Sequence, residues 1–170
     1  MQDNFFELFQ LPVQCDLEQS ELNARFCQLQ QAVHPDQHAA GTAKEQLIAS
    51  QMSAHINDAY QTLKKPLSRY QYLLSLKGFE FKEHTHQDTS FLMLQMQLRE
   101  QLAEVEQADD VEQAISEFIQ QLNDLHSNQV GAFKNAYLAQ DFTQAYQEVV
   151  KLKFFDKLLL DVERLEDQLL

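Results

Sequence analysis

Breakers of regular structure are scarce in this chain, with 3 glycines and 3 prolines among 170 residues. That rules out collagen-like, low-complexity and turn-rich all-β architectures, which need both residue types in quantity. Tryptophan is absent, and cysteine occurs only at Cys15 and Cys27. Neither belongs to a C-x-x-C pair or has a histidine at ligand spacing, so a disulfide framework and a zinc module are excluded and no metal site is expected. Cations are few as well: 13 Lys and Arg stand against 26 Asp and Glu, a net charge of -13. A chain so acidic offers no surface for a phosphate backbone or an anionic bilayer, so neither nucleic acid nor membrane is an expected partner. No apolar run approaches membrane-spanning length. The opening residues MQDNFFELFQ lack the basic and apolar regions of a signal peptide, so a cytoplasmic protein is expected. No glycine-rich phosphate loop, nucleophile elbow or triad context occurs; catalytic residues and cofactors are expected to be none.

What is present is helix-forming. Apolar residues make up 44% of the chain, enough for a core, and the abundance of Leu, Gln, Ala and Glu predicts an all-α fold. A short helix is expected from Asn4, a good N-cap, to Phe9, before Pro12. A second begins near Asp16, with Gln19 at capping-box spacing, and carries the stripe Leu22, Phe26, Leu29 and Val33 until Pro35 stops it. A long helix over 43–63 has the stripe Ile48, Met52, His55, Ile56, Ala59 and Leu63. Pro66 opens a further short helix. A linker over 76–87 then precedes three helices, Thr89–Gln107, Val111–Leu138 and Phe142–Leu169, with N-caps at Asp110 and Asp141. Their short connections predict an antiparallel three-helix bundle over 88–170 with a coiled-coil-like 3-4 seam on the last helix. Gly131 weakens the middle helix by about 1 kcal/mol relative to alanine.

Two features point to function. The first is the tripeptide His34-Pro35-Asp36 between two helices. Pro35 stops one helix and stiffens the turn, so His34 and Asp36 are presented on a tight loop, where recognition groups are usually found. Asp36 offers a carboxylate suited to bidentate pairing with an arginine. The second is the helix from Thr89. At 100° per residue, Phe91, Leu94, Leu98, Leu102 and Val105 share a stripe of roughly 80°. Leu92, Met93 and Met96 fall outside it, beside Gln97, Glu100, Ala103 and Glu104. Periodicity alone leaves two readings open: a helix buried on both sides, or one packed on one side with a partner-binding face on the other.

With His34-Pro35-Asp36 in that setting, and with Ile56-Asn57-x-Ala59-Tyr60-x-x-Leu63 in the helix beyond it, residues 1–75 resemble the J-domain family. The resemblance implies a helical hairpin whose loop, with Arg25 on the helix before it, docks on a DnaK-type ATPase chaperone. The remainder is similar to the HscB family, the J-domain co-chaperones of iron–sulfur cluster assembly. The stretches that carry this are Pro66-Leu67-x-Arg69-x-x-Tyr72-Leu73-Leu74, Thr89-x-Phe91-Leu92-Met93, Leu98-Arg99-Glu100 and Lys151-Leu152-x-Phe154-x-Asp156-Lys157-Leu158. The eukaryotic cysteine module is missing, which implies the bacterial form. What the resemblance implies is a co-chaperone that stimulates ATP hydrolysis by an HscA-type chaperone and delivers an IscU-type scaffold protein to it. The scaffold would be held by Leu92, Met93, Met96, Glu100, Glu104 and Phe154.

The remaining constellations are bland. His84-x-His86 has no third ligand nearby. The charge is lopsided: residues 1–75 hold 5 Lys/Arg against 8 Asp/Glu, whereas residues 76–170 hold 8 against 18. The acidic half is thus the one expected to meet a neutral or basic partner.

Overall fold

The computed structural model describes residues 4–33, 41–81 and 88–169. These form seven helices in chain order: α1 (Phe5–Leu8), α2 (Gln19–Val33), α3 (Ala43–Lys64), α4 (Pro66–Ser75), α5 (Thr89–Val105), α6 (Val111–Leu138) and α7 (Phe142–Leu169). No strand occurs among the described residues. The chain divides into two compact units, Met1–Leu76 and Lys77–Leu170.

In the first unit, α2 and α3 form an antiparallel hairpin. Phe26 stacks on Tyr60 with ring centroids 4.1 Å apart. The Tyr60 hydroxyl donates to Asn23, and Ser53 and Gln30 exchange two hydrogen bonds, so polar pairs flank the apolar seam. Asn4 and Thr42 cap α1 and α3 with reciprocal capping boxes to Glu7 and Glu45. The second helix starts at Gln19 rather than near Asp16: its first hydrogen bond runs from the Leu22 amide to the Glu18 carbonyl. The Cys15 carbonyl is engaged elsewhere, by Arg69.

Arg69 holds this unit together. Its guanidinium is buried, donating to the Cys15 carbonyl at 2.8 Å and the Leu63 carbonyl at 2.6 Å. The Leu63 carbonyl belongs to the last turn of α3, where orphan acceptors and the helix dipole favour a cation. One side chain thus ties α4 to the end of α3 and to the segment before α2. Tyr72, also on α4, receives the Phe5 amide proton at 2.9 Å and stacks on the Phe5 ring. Burial, and after it the neighbouring Glu7 carboxylate, raise the Tyr72 phenol above its ordinary pKa, so it remains a neutral acceptor.

The apolar stripe of α3 is buried only in part. Ala49, Ile56, Ala59 and Leu63 are in the core, but Ile48 and Met52 are 51% and 44% exposed and His55 is exposed too. The covering helices explain this. Pro66 folds α4 back at the end of α3, and α1 reaches α3 through Phe5 at His55, so the stripe toward Ala43 outruns its partners.

In the second unit, α6 and α7 form a long antiparallel pair and α5 lies against both. The core joins Phe91, Leu98 and Val105 of α5, Ile115, Phe118 and Leu122 of α6, and Phe155, Leu158 and Val162 of α7. Burying each such side chain contributes roughly 1.5–3 kcal/mol. The 28 residues of α6 and of α7, against 17 in α5, leave the pair about 16 Å longer than its companion at 1.5 Å per residue. Phe79 and Phe81, expected within the linker, lie beside the projecting part, with their rings 5.7 and 4.6 Å from Tyr146. The turn after α6 closes with Gln140 at φ 60 and the Asp141 amide bonded to the Ala136 carbonyl, a Schellman-type stop.

Gly131 does not interrupt α6, and a Cβ built there would meet nothing within 4 Å. Gly131→Ala is therefore expected to stabilise the protein by about 1 kcal/mol through backbone entropy alone. Urea unfolding followed by circular dichroism checks this; an unchanged or lowered midpoint contradicts it.

Candidate partner-binding site

α5 is amphipathic in an unusual sense, because it is apolar on two sides and has packed helices on only one. Asp88 starts it, accepting the Phe91 amide at 2.7 Å. Phe91, Leu98 and Val105 then turn into the bundle, with Leu94 and Leu102 partly buried beside them. That packing fixes the rotation of the helix and so sends Leu92, Met93 and Met96 outward, at 45%, 67% and 64% exposure. Gln97, Glu100, Ala103 and Glu104 continue this outer face and are exposed. The predicted face therefore exists as a surface, and no helix among the described residues covers it.

Phe154 comes to this face from α7. It is half-buried, with its ring edge-on to Phe91 at 5.7 Å and to Phe155 at 5.6 Å. The Arg99 guanidinium lies 6.0 Å from its ring centroid. Arg99 is exposed, so this cation–π contact is a modest one, of about 0.5–1 kcal/mol. In the sequence Arg99 stands out only as part of the stretch Leu98-Arg99-Glu100. Its place over Phe154 depends on how α5 and α7 pack, which spacing within either helix does not encode.

A polar network sets the start of α5 against α7. Lys151 lies 3.4 Å from Glu148, 3.9 Å from Asp88 and 5.9 Å from the Phe91 ring. Glu148 is buried and accepts side-chain amide protons from Gln129 and Gln144. A buried carboxylate held by two amides and an ammonium has the partners that make its burial tolerable. The Ser90 hydroxyl first, then the Phe91 amide, and more weakly Lys151, favour ionised Asp88 and hold its pKa below the ordinary 3.8.

Less of the site expected in the first unit can be described. His34, Pro35 and Asp36 lie outside the described residues, as do His84 and His86. Arg25 is partly exposed and is held internally, 3.8 Å from Glu21 and 3.5 Å from the Gln10 side-chain oxygen. Cys27 is exposed on α2. Among the described residues no group of three His, Cys, Asp or Glu could hold a metal ion, and no helix is long and apolar enough to cross a membrane.

A helical hairpin followed by a bundle that leaves an apolar, carboxylate-rimmed face uncovered by any described helix defines a two-unit, all-α class of protein. Known proteins give that class a family. Residues 87–163 match the family described as the HSCB C-terminal oligomerisation domain. The chain is 42% identical over 166 residues to the co-chaperone HscB homologue of Photobacterium profundum, covering 96% of this chain and 97% of that one. The solved structure of the chaperone HscB from Vibrio cholerae is similar with a TM-score of 0.92 at 42% identity, covering 99% of this chain and all of that one. The crystal structure of human co-chaperone HscB gives a TM-score of 0.92 at 29% identity, covering 99% of this chain and 84% of that one. The chain belongs to the HscB family, and with it to the J-domain co-chaperones of iron–sulfur cluster assembly.

The lowered pKa of Asp88 has a pH consequence. A carboxyl depressed on folding contributes stability above its unfolded value, and that contribution is lost as pH falls through the lower folded value. Asp88→Asn keeps the capping oxygen but removes the charge. Wild type is expected to be the more stable of the two at neutral pH, and the difference is expected to shrink as pH falls through the lowered carboxyl pKa. Denaturant midpoints at a series of pH values test this, and a difference independent of pH contradicts it.

Proposed function

We propose that this co-chaperone links two proteins: an HscA-type ATPase chaperone at the first unit and an IscU-type scaffold protein at the second. The observation that carries the reading is the outer face of α5. Leaving Leu92, Met93 and Met96 largely in water forgoes a good part of the roughly 1.5–3 kcal/mol that full burial of each side chain contributes, and a partner that covers them recovers some of it. Methionine adapts to a partner's contours, and Glu100 and Glu104 keep the patch soluble until it is covered. Phe154 supplies an aromatic anchor at the edge of the same face.

In this reading the His34-Pro35-Asp36 loop and Arg25 engage the chaperone and trigger hydrolysis of its ATP. Joining the two binding modules in one chain raises the effective concentration of scaffold at the chaperone, so that hydrolysis favours its capture. The protein transfers no group and performs no reaction itself, needs no cofactor, and works in the cytoplasm. Its net charge of -13 directs it to proteins and away from nucleic acid and membranes.

Steady-state ATPase of the HscA-type chaperone tests both halves. Co-chaperone and scaffold together are expected to stimulate far beyond the sum of each alone. His34→Gln is expected to remove the co-chaperone's share while leaving the fold and the scaffold affinity intact. The triple variant Leu92→Ala, Met93→Ala and Phe154→Ala is expected to lose about 100-fold or more in scaffold affinity, as truncation of three interface anchors should. Because Phe154 also packs on the core, the double variant of the exposed Leu92 and Met93 serves as a second reading. Normal scaffold binding by both variants refutes the patch, and full stimulation by folded His34→Gln refutes the trigger.

A further inference from the structure

The outer face of α5 has two flanks. At 100° per residue, Arg99 lies about 20° to one side of Leu92, and Phe154 of α7 stands there. On the other side Glu104 is about 120° from Leu92 and Gln101 about 180°, and here the surface runs onto α6. Between α5 and α6 lies an open groove of about 320 Å³. Its floor is apolar, formed by Val105, Ala108 and Phe118, and two carboxylates border it, Glu104 from α5 and Glu117 from α6. The Gln121 side-chain amide donates to Gln101 across it at 3.3 Å. Gln113 donates to Glu117 at 2.8 Å, steadying that carboxylate one turn along α6. No cation is paired with Glu104 or Glu117 among the described residues.

An apolar floor between two uncompensated carboxylates matches one kind of side chain. Lysine and arginine carry a long aliphatic stem under a cationic head, and they bury the stem while keeping the head among polar groups. A neutral apolar side chain would leave the carboxylates unused, and an acidic one would be repelled by both. The unit that carries the groove also holds 8 Lys/Arg against 18 Asp/Glu over residues 76–170, so the wider field has the same sign.

We propose that the α5–α6 groove is a second contact for the protein held on the outer face of α5, and that it takes a lysine or arginine side chain of that partner between Glu104 and Glu117. The inference rests on the scaffold reading above and extends it from α5 to α6. Glu117 becomes a specificity-determining residue: the apolar patch supplies the grip, and the groove reads the sign of charge beside it. A partner with an acid at the matching position is excluded by like-charge repulsion.

The test is scaffold affinity by calorimetry at two ionic strengths, using the full chain and an IscU-type scaffold protein. Glu117 is exposed, so Glu117→Gln and Glu117→Lys are expected to fold as wild type, which circular dichroism checks. Glu117→Lys is expected to weaken binding about tenfold or more at low salt, and Glu117→Gln by less, in keeping with loss or reversal of one charge at a complementary interface. Both deficits should shrink in high salt, because screening removes what the charge contributes. Wild-type affinity for both Glu117 variants at low salt, with affinity lost in the Leu92 and Met93 double alanine variant, overturns the groove and leaves the patch standing. Equal deficits at both ionic strengths also overturn it, since they exclude a charge contact. Wild-type binding by the double variant as well removes the scaffold reading itself, and the groove with it.

Discussion

The rotation of α5 is the constraint on which the second unit turns. A helix that packs against two neighbours has one covered side and one open side, and α5 carries large apolar residues on both. Which set enters the core is decided by size and spacing. Phe91, Leu98 and Val105, with Leu94 and Leu102, form a continuous stripe that meets both α6 and α7, whereas Leu92, Met93 and Met96 cover little more than one turn. Turning the helix by nearly half a turn, about 170°, would bury the short set and expose the long one, at a cost of several side chains' burial. Contacts at the helix start oppose that turn. Asp88 caps α5 and faces Lys151, whose other partner is the buried Glu148. Core and polar network therefore select one rotation, and the exposed face follows from it.

Charge then decides what such a face can meet. Three exposed apolar side chains in a row invite self-association unless their surroundings resist it. Here the surroundings are Glu100 and Glu104, in the half of the chain that is by far the more acidic. In the proposed function the carboxylates discourage acidic partners and favour a neutral or basic one.

Much of this was legible in the sequence, for reasons that can be named. The long helices announce themselves by periodicity and by caps at Asp110 and Asp141. The two-sided character of α5 is visible in a helical projection, because it depends only on 3.6-residue spacing within one segment. Other features depend on what a segment meets. The stripe of α3 reads as core along its whole length, yet Ile48 and Met52 stay exposed because α1 and α4 cover only its later turns. Asp16 and Gln19 have capping spacing, yet α2 begins three residues on, where Glu18 supplies the first acceptor. Arg69 stands in the sequence only within a stretch that carries the family resemblance, and nothing in its own short helix signals burial. Its burial follows from two carbonyls brought together from Cys15 and Leu63, 54 and 6 residues away in sequence. Arg99 over Phe154, and the groove between Glu104 and Glu117, likewise exist only once two helices are side by side.

That distinction bears on how the candidate site is divided. Residues that grip can be read from one helix, because an apolar face is a property of local spacing. In the proposed function, those that discriminate lie where helices meet, at Phe154 with Arg99 on one flank of α5 and at Glu117 on the other. A partner seated on the outer face of α5 alone would feel mainly the hydrophobic effect, which is not directional and ranks partners poorly. The flanks add what the patch lacks: an aromatic edge of defined orientation and a charge of defined sign. In the proposed function the client must be held tightly enough to be delivered and selectively enough that unrelated unfolded chains are not. A shallow patch framed by α6 and α7 meets both demands without a deep pocket, because affinity comes from its centre and selection from its borders.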